Sequence, residues 1–214
     1  SGTAAGRRAA ALTRPGLEPE DTQRTTRTLD DQADAISAIL DEMGGDAVLV
    51  GHSGANGPVS LVVDRHPELV HRIVWVDSGP MSDGGAFAPD LPEETAELPL
   101  PDFDTLGKQA SLEGLSNEHL DRFRARAVPE PAQVARARVA LSNSARHDVL
   151  TTLICCSIPS VQVLELAAAG NPMFSAVAHL TNFTAMDLPT GHWPMWSRPQ
   201  ELAEAIREAA TSTS

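Results

Sequence analysis

Ala47-Val48-Leu49-Val50-Gly51-His52-Ser53-Gly54-Ala55 is the stretch that decides how this chain folds. Four apolar residues run directly into glycine, histidine, serine and glycine. That order delivers a buried strand into a very tight turn, which small neighbours allow to close. The apex residue, Ser53, is expected in a strained conformation with its hydroxyl pointing out of the sheet. A helix should follow, with its unpaired N–H groups facing the serine. A serine held there is a candidate nucleophile. The plainer alternative is a strand, turn and helix with a chance serine, so the rest of the chain must supply the context.

Working outward, the 214 residues suffice for one domain with a sizeable core, and 42% apolar content is that of a globular chain rather than a disordered one. A net charge of −13 opposes binding to nucleic acid or to an anionic membrane surface. No apolar run reaches the length of a membrane span and no secretory signal opens the chain. The two cysteines, Cys155 and Cys156, are adjacent in an apolar run. On a strand they point to opposite faces, so two reduced core thiols in a cytoplasmic protein are expected. Self-association is left open.

Upstream of the Ser53 turn, residues 9–13 read as a short strand broken by Pro15-Gly16, and 17–27 as a polar surface loop. Residues 28–44 form the clearest helix. Leu29, Ala33, Ile36, Leu40 and Met43 share a face, Thr28 with Asp31 makes a capping box, and Gly44-Gly45 supplies the stop. Downstream, 59–63 reads as helix, although Pro58 must make its first turn irregular. Residues 72–76 are a second buried strand with Asp77 at its carboxyl end. The segment 78–114 is rich in Pro, Gly and acidic residues, and little regular structure is expected in it. Helices are expected over 115–128, with Ser116 as N-cap, and over about 132–141. Strand 150–156, helix 161–169 stopped by Gly170, strand 184–188, the loop from Pro189 to Pro194 and helix 199–210 complete the chain. The alternation implies an α/β fold: a mostly parallel sheet with helices on both faces, plus a helical cap. The division is 1–77 as the first part of the core, 78–149 as cap insertion and 150–214 as the rest of the core.

A serine nucleophile needs a base, and the base an orienting acid. Of seven histidines, His66, His71, His119, His147 and His179 fall where surface or capping roles are expected. His52 adjoins Ser53 and projects away from it, as a pocket or core residue. His192 follows the last strand on a glycine-flanked loop, at the sheet edge where Ser53 sits, and is the favoured base. Asp77 is the favoured acid, ahead of Asp187 within the last strand and of Glu165 inside a helix. A turn cap is its alternative role.

These features, with the order Ser53, Asp77, His192, resemble the alpha/beta-hydrolase family and its Gly-x-Ser-x-Gly elbow, with Ala55 in place of the last glycine. An acid after the strand that follows the elbow helix is the arrangement of a subset that includes haloalkane dehalogenases. Those enzymes use aspartate as nucleophile, so Ser53 makes this chain esterase-like. The resemblance implies a cap after that strand, which suits 78–149, and an oxyanion hole to which the N–H of Gly54 contributes. It also implies further strands and a His-Gly loop ahead of the region where this chain opens. Either a longer enzyme has been shortened here, or a shortened relative binds but turns over poorly. The expected activity is cleavage of an ester or similar acyl bond of a small, partly apolar molecule. His52, Met81, Phe87, Phe174, Trp193, Met195 and Trp196 are candidate pocket walls, with plain core packing as the alternative for each. No metal or organic cofactor is required. A ligand-binding protein without effective catalysis, or a lyase or cofactor-free oxygenase using the same three residues, are the alternatives.

Overall fold

The computed structural model describes residues 9–212. Its centre is a parallel sheet of four strands. In chain order these are β1 (Ala47–His52), β2 (Val70–Val76), β5 (Leu150–Cys155) and β6 (Phe183–Asp187), and they lie side by side in that order. Between β2 and β5 a short antiparallel pair, β3 (Glu97–Leu98) and β4 (Glu130–Pro131), closes a separate two-stranded ribbon. Because the four main strands are parallel, their carboxyl ends share one rim.

The period-2 alternation of β2 and β5 sorts the core into two layers. Ile73, Trp75, Leu153 and Cys155 join one apolar cluster, whereas Val74, Val76, Ile154 and Cys156 join the other. The adjacent cysteines thus face opposite sides of the sheet as free, buried thiols, and burial pushes both up to about 12. The first layer is covered by α1 (Leu29–Met43), α2 (Asn56–Arg65) and α6 (Ser160–Ala168). The second is covered by α8 (Pro199–Thr211), through Leu202 and Ala209.

Local chemistry explains the helix limits. α1 starts at a capping box, in which the Thr28 side chain accepts from the N–H of Asp31 and the Asp31 carboxylate accepts from the N–H of Thr28. It ends at Gly44, whose φ of 79° suits a residue without Cβ. Pro58 has the expected effect on α2: a 3₁₀ turn over Ser53–Ala55 precedes the first α-helical residue, Asn56. The buried Asp64 near the end of α2 is satisfied by the N–H groups of Ser142 and Asn143 and by Arg146.

Three expectations are corrected. Residues 9–13 form no strand, and the run leads instead into a turn at Arg14–Leu17. The helix expected over 132–141 stops early, as α5 (Ala132–Arg136). Beyond it the chain is extended, because Val139 exchanges backbone hydrogen bonds with Gly84 and Gly85. Val134, Val139 and Leu141 then pack into the main core beside Leu29 and Val59. The segment 78–114, expected to be irregular, contains α3 (Phe103–Gln109) as well as β3. The helix capped by Ser116 is α4 (Asn117–Arg126), and a single helical turn, α7 (Pro194–Ser197), precedes α8. No helix among the described residues is long and apolar enough to cross a membrane.

Candidate active site

β1 delivers the chain to Ser53 with φ 49°, and β2 delivers it to Asp77 with φ 41°. Among the described residues only one other non-glycine residue, Asp46, has positive φ. Such a conformation costs about 1–3 kcal/mol and persists where surroundings over-determine it. For β1 the surroundings begin at Gly51. A Cβ there would lie 2.9 and 3.0 Å from the ring of Trp75, so only glycine lets the strand pass so close to the indole.

Asp77 is fixed through its own carboxylate. Oδ1 accepts the N–H groups of Cys156 at 2.9 Å and Ser157 at 2.8 Å, from the chain just leaving β5. Oδ2 accepts the Ser157 hydroxyl at 2.6 Å and lies 2.6 Å from Nδ1 of His192. Burial alone would push this carboxyl up. The bonds from His192, Ser157 and Cys156 outweigh that and hold it below the usual carboxylate range. An ionised Asp77 fixes the imidazole tautomer: Nδ1 carries the proton and Nε2 carries the lone pair.

The loop after β6 holds His192 from two further sides. Its N–H donates to the carbonyl of Ser111 at 2.8 Å, and the N–H of Gly191 donates to that of Glu113 at 3.2 Å. A Cβ on Gly191 would come within 2.7 Å of this same backbone, so the approach requires glycine. The His192 carbonyl lies 2.7 Å from Nε2 of His52, and the two imidazoles sit 4.7 Å apart between centroids. His52 is pushed down to about 4, first by burial and then by repulsion from His192. It is therefore neutral at pH 7 and donates Nε2–H to that carbonyl. Ser53, Asp77 and His192 thus occupy one rim of one sheet, with His52 packed beside His192.

The candidate pocket walls separate into two groups. Phe87 is 54% exposed, and its ring edge lies 3.9 Å from where a Cβ of Gly54 would stand. Trp193 meets His192 edge-on at 4.9 Å and Phe123 of α4 at 5.2 Å; Trp196 also packs on Phe123 at 5.2 Å. These aromatics link the histidine loop to the inserted segment. Phe174 and Met195, by contrast, turn toward the core. Phe174 is buried in the main cluster, and Met195 packs on the cluster beneath α8. Apolar side chains without a polar handle sink into the nearest core layer, the alternative weighed for each of them. Met81 borders a cavity of about 20 Å³ with Trp75 and Pro80, room for about one water rather than a substrate.

Two contributors escape a reading of the sequence. Ser157 stands on a loop with no carboxylate and so offers no acid, yet that loop supplies the donors that hold Asp77. The strand register explains the approach, since Val76 pairs with Ile154 and the chain beyond β5 must pass Asp77. Arg14 reaches the elbow from the segment mistaken for the end of a strand: its Nη1 donates to the carbonyl of Gly54 at 2.8 Å. Among the described residues no three His, Cys, Asp or Glu side chains gather in a way that could hold a metal ion.

Comparison with known proteins agrees with this architecture. An extracellular alpha/beta-hydrolase from a Paenibacillus species, described as sharing structural and functional homology with tobacco salicylic acid binding protein 2, superposes with a TM-score of 0.69 at 18% identity, over 88% of this chain and 82% of that one. A pyrethroid hydrolase from Sphingobium faniae superposes with a TM-score of 0.61 at 18% identity, over 94% and 85%. A methylesterase from Arabidopsis gives 0.61 at 14% identity, over 86% and 79%. No curated protein matches the chain in sequence. The model of the alpha/beta hydrolase family matches residues 2–205, almost from end to end, and the chain belongs to that family.

Proposed function

We propose that the protein is a serine esterase of the carboxylesterase type, acting on a small, partly apolar ester. The observation that carries this reading is the 2.6 Å contact between Asp77 Oδ2 and His192 Nδ1, at the rim where the strained turn after β1 presents Ser53. The contact leaves Nε2 of His192 as the nitrogen that takes the serine proton. Ser53 Oγ attacks the acyl carbonyl, and the tetrahedral oxyanion accepts the N–H of Gly54. A donor of this kind contributes about 2.7–4 kcal/mol to the transition state. His192 then returns its proton to the leaving alcohol, and water repeats the sequence on the acyl-enzyme.

Structural neighbours named as a pyrethroid hydrolase, a methylesterase and polyneuridine aldehyde esterase support an ester as the bond cleaved. Exposed Phe87 beside the elbow, with Trp193 and His52 around the base, supplies apolar surface for one half of such a substrate. In this reading α3 and α4 form the lid, resting on the histidine loop through Phe123.

A fluorophosphonate probe tests the proposal. An adduct on Ser53 that disappears in Ser53→Ala, together with hydrolysis of p-nitrophenyl acetate that disappears with it, is the expected result. Folded protein that takes no label overturns it.

A further inference from the structure

The turn after β1 contains a gap that its own sequence creates. Gly54 lies in the 3₁₀ turn ahead of α2, and the bond that would extend α-helical pairing back to it runs from the N–H of residue 58 to the carbonyl of residue 54. Residue 58 is proline and has no N–H, so the first turn of α2 cannot supply that bond. The carbonyl in question belongs to Gly54, the residue whose own N–H is the proposed oxyanion donor. Glycine restrains its flanking peptides less than any other residue, so the direction of that N–H depends on what grips the peptide beyond it.

We infer that Arg14 is a positioning residue for the elbow, its guanidinium replacing the helix hydrogen bond that Pro58 cannot give to Gly54. This rests on the esterase reading and extends it. Arg14 Nη1 donates to the Gly54 carbonyl and to Oε1 of Gln32, both at 2.8 Å. Nη2 lies 3.5 Å from Oε2 of Glu130. Gln32, fully buried on α1, in turn donates to Glu130 Oε1 and to the carbonyl of Pro15, each at 3.0 Å. The guanidinium is therefore a planar fork seated between α1, β4 and the elbow. Each arm of the fork is committed, and a compact ammonium could not span the same acceptors. Nη2 also stands 3.8 Å from the position a Gly54 Cβ would occupy. A positive charge thus lies beside Gly54.

The test measures the rate of Ser53 labelling by a fluorophosphonate probe per folded molecule, beside kcat and KM for p-nitrophenyl acetate. Arg14→Ala is expected to slow labelling and kcat by about 10²-fold with little change in KM, comparable to loss of an oxyanion donor. Pro58→Ala restores an N–H at position 58. Placed on Arg14→Ala, it should recover several-fold of the lost rate, a rescue that general loss of packing would not give. Labelling of folded Arg14→Ala at the unaltered rate, or a double variant no faster than the single one, overturns the inference. If Arg14→Ala does not fold, Arg14→Lys carries the test: a reduced kcat at unchanged KM supports the fork, and an unaltered kcat overturns it. Failure of the unaltered protein to label would instead remove the esterase reading, and this inference with it.

Discussion

β1 ends at Ser53 with φ 49° and β2 ends at Asp77 with φ 41°, neighbouring strands finishing in nearly the same left-handed turn. What holds each turn differs. The carboxylate of Asp77 is gripped directly by two backbone N–H groups, a hydroxyl and an imidazole. The turn at Ser53 is held by its neighbours: Gly51 pressed on Trp75, the 3₁₀ turn ahead of Pro58, and Arg14 on Gly54. The contrast follows from the proposed chemistry. An orienting acid works best immobilised by every bond it can make, whereas a nucleophile needs a hydroxyl free to react, so rigidity has to come from the residues around it.

The comparison breaks first at Asp77. Replacing it with Asn keeps the shape but offers an amide N–H₂ to Nδ1, favouring the wrong imidazole tautomer. The kcat for p-nitrophenyl acetate is expected to fall by about 10⁴-fold with the fold intact. A drop under tenfold would show that Asp77 is only a turn cap. On the other arm, Gly51→Ala forces a methyl against the buried Trp75 ring and should destabilise the protein by about 1–3 kcal/mol, read as a lower urea midpoint. An unchanged midpoint would show that the elbow is not braced there.

A smaller effect separates the donors on Asp77. Ser157→Ala removes the hydroxyl and leaves both backbone donors, so kcat should fall about tenfold, or roughly 1.4 kcal/mol, at unchanged KM. The smallest effect is in acid. Folding holds the Asp77 carboxyl below its ordinary range, so its contribution to stability is complete above the unfolded value of about 4 and is lost as pH falls through the lower folded value. Urea midpoints of Asp77→Asn between pH 5 and 2 should therefore fall less steeply than those of the unaltered protein.

The sequence was most legible where local signals agreed. The start of α1 is written in Thr28 and Asp31, its end in Gly44, and its buried face in the spacing of Leu29, Ala33, Ile36 and Leu40. That Asp77 and His192 would lie together was legible because a parallel sheet brings its carboxyl ends to one rim whatever lies between them, and they meet at 2.6 Å. The reading failed where a distant partner overrode local preference. Residues 137–141 look helical, but Gly84 and Gly85 draw Val139 into extended pairing. Arg14 has a surface residue's composition, and its acceptor stands forty positions away. Nothing in the letters near Phe174 or Met195 told which layer would claim them.

The two carbonyls of Ser111 and Glu113 that receive the backbone of the histidine loop have one more consequence. They make the segment between β2 and β5 part of the scaffold for His192, not a detachable module. A chimera carrying a relative's insertion would keep its imidazole aligned only if the transplanted chain offered two acceptors at the same places. Recombination in this region is thus limited by a backbone pattern rather than by any side chain.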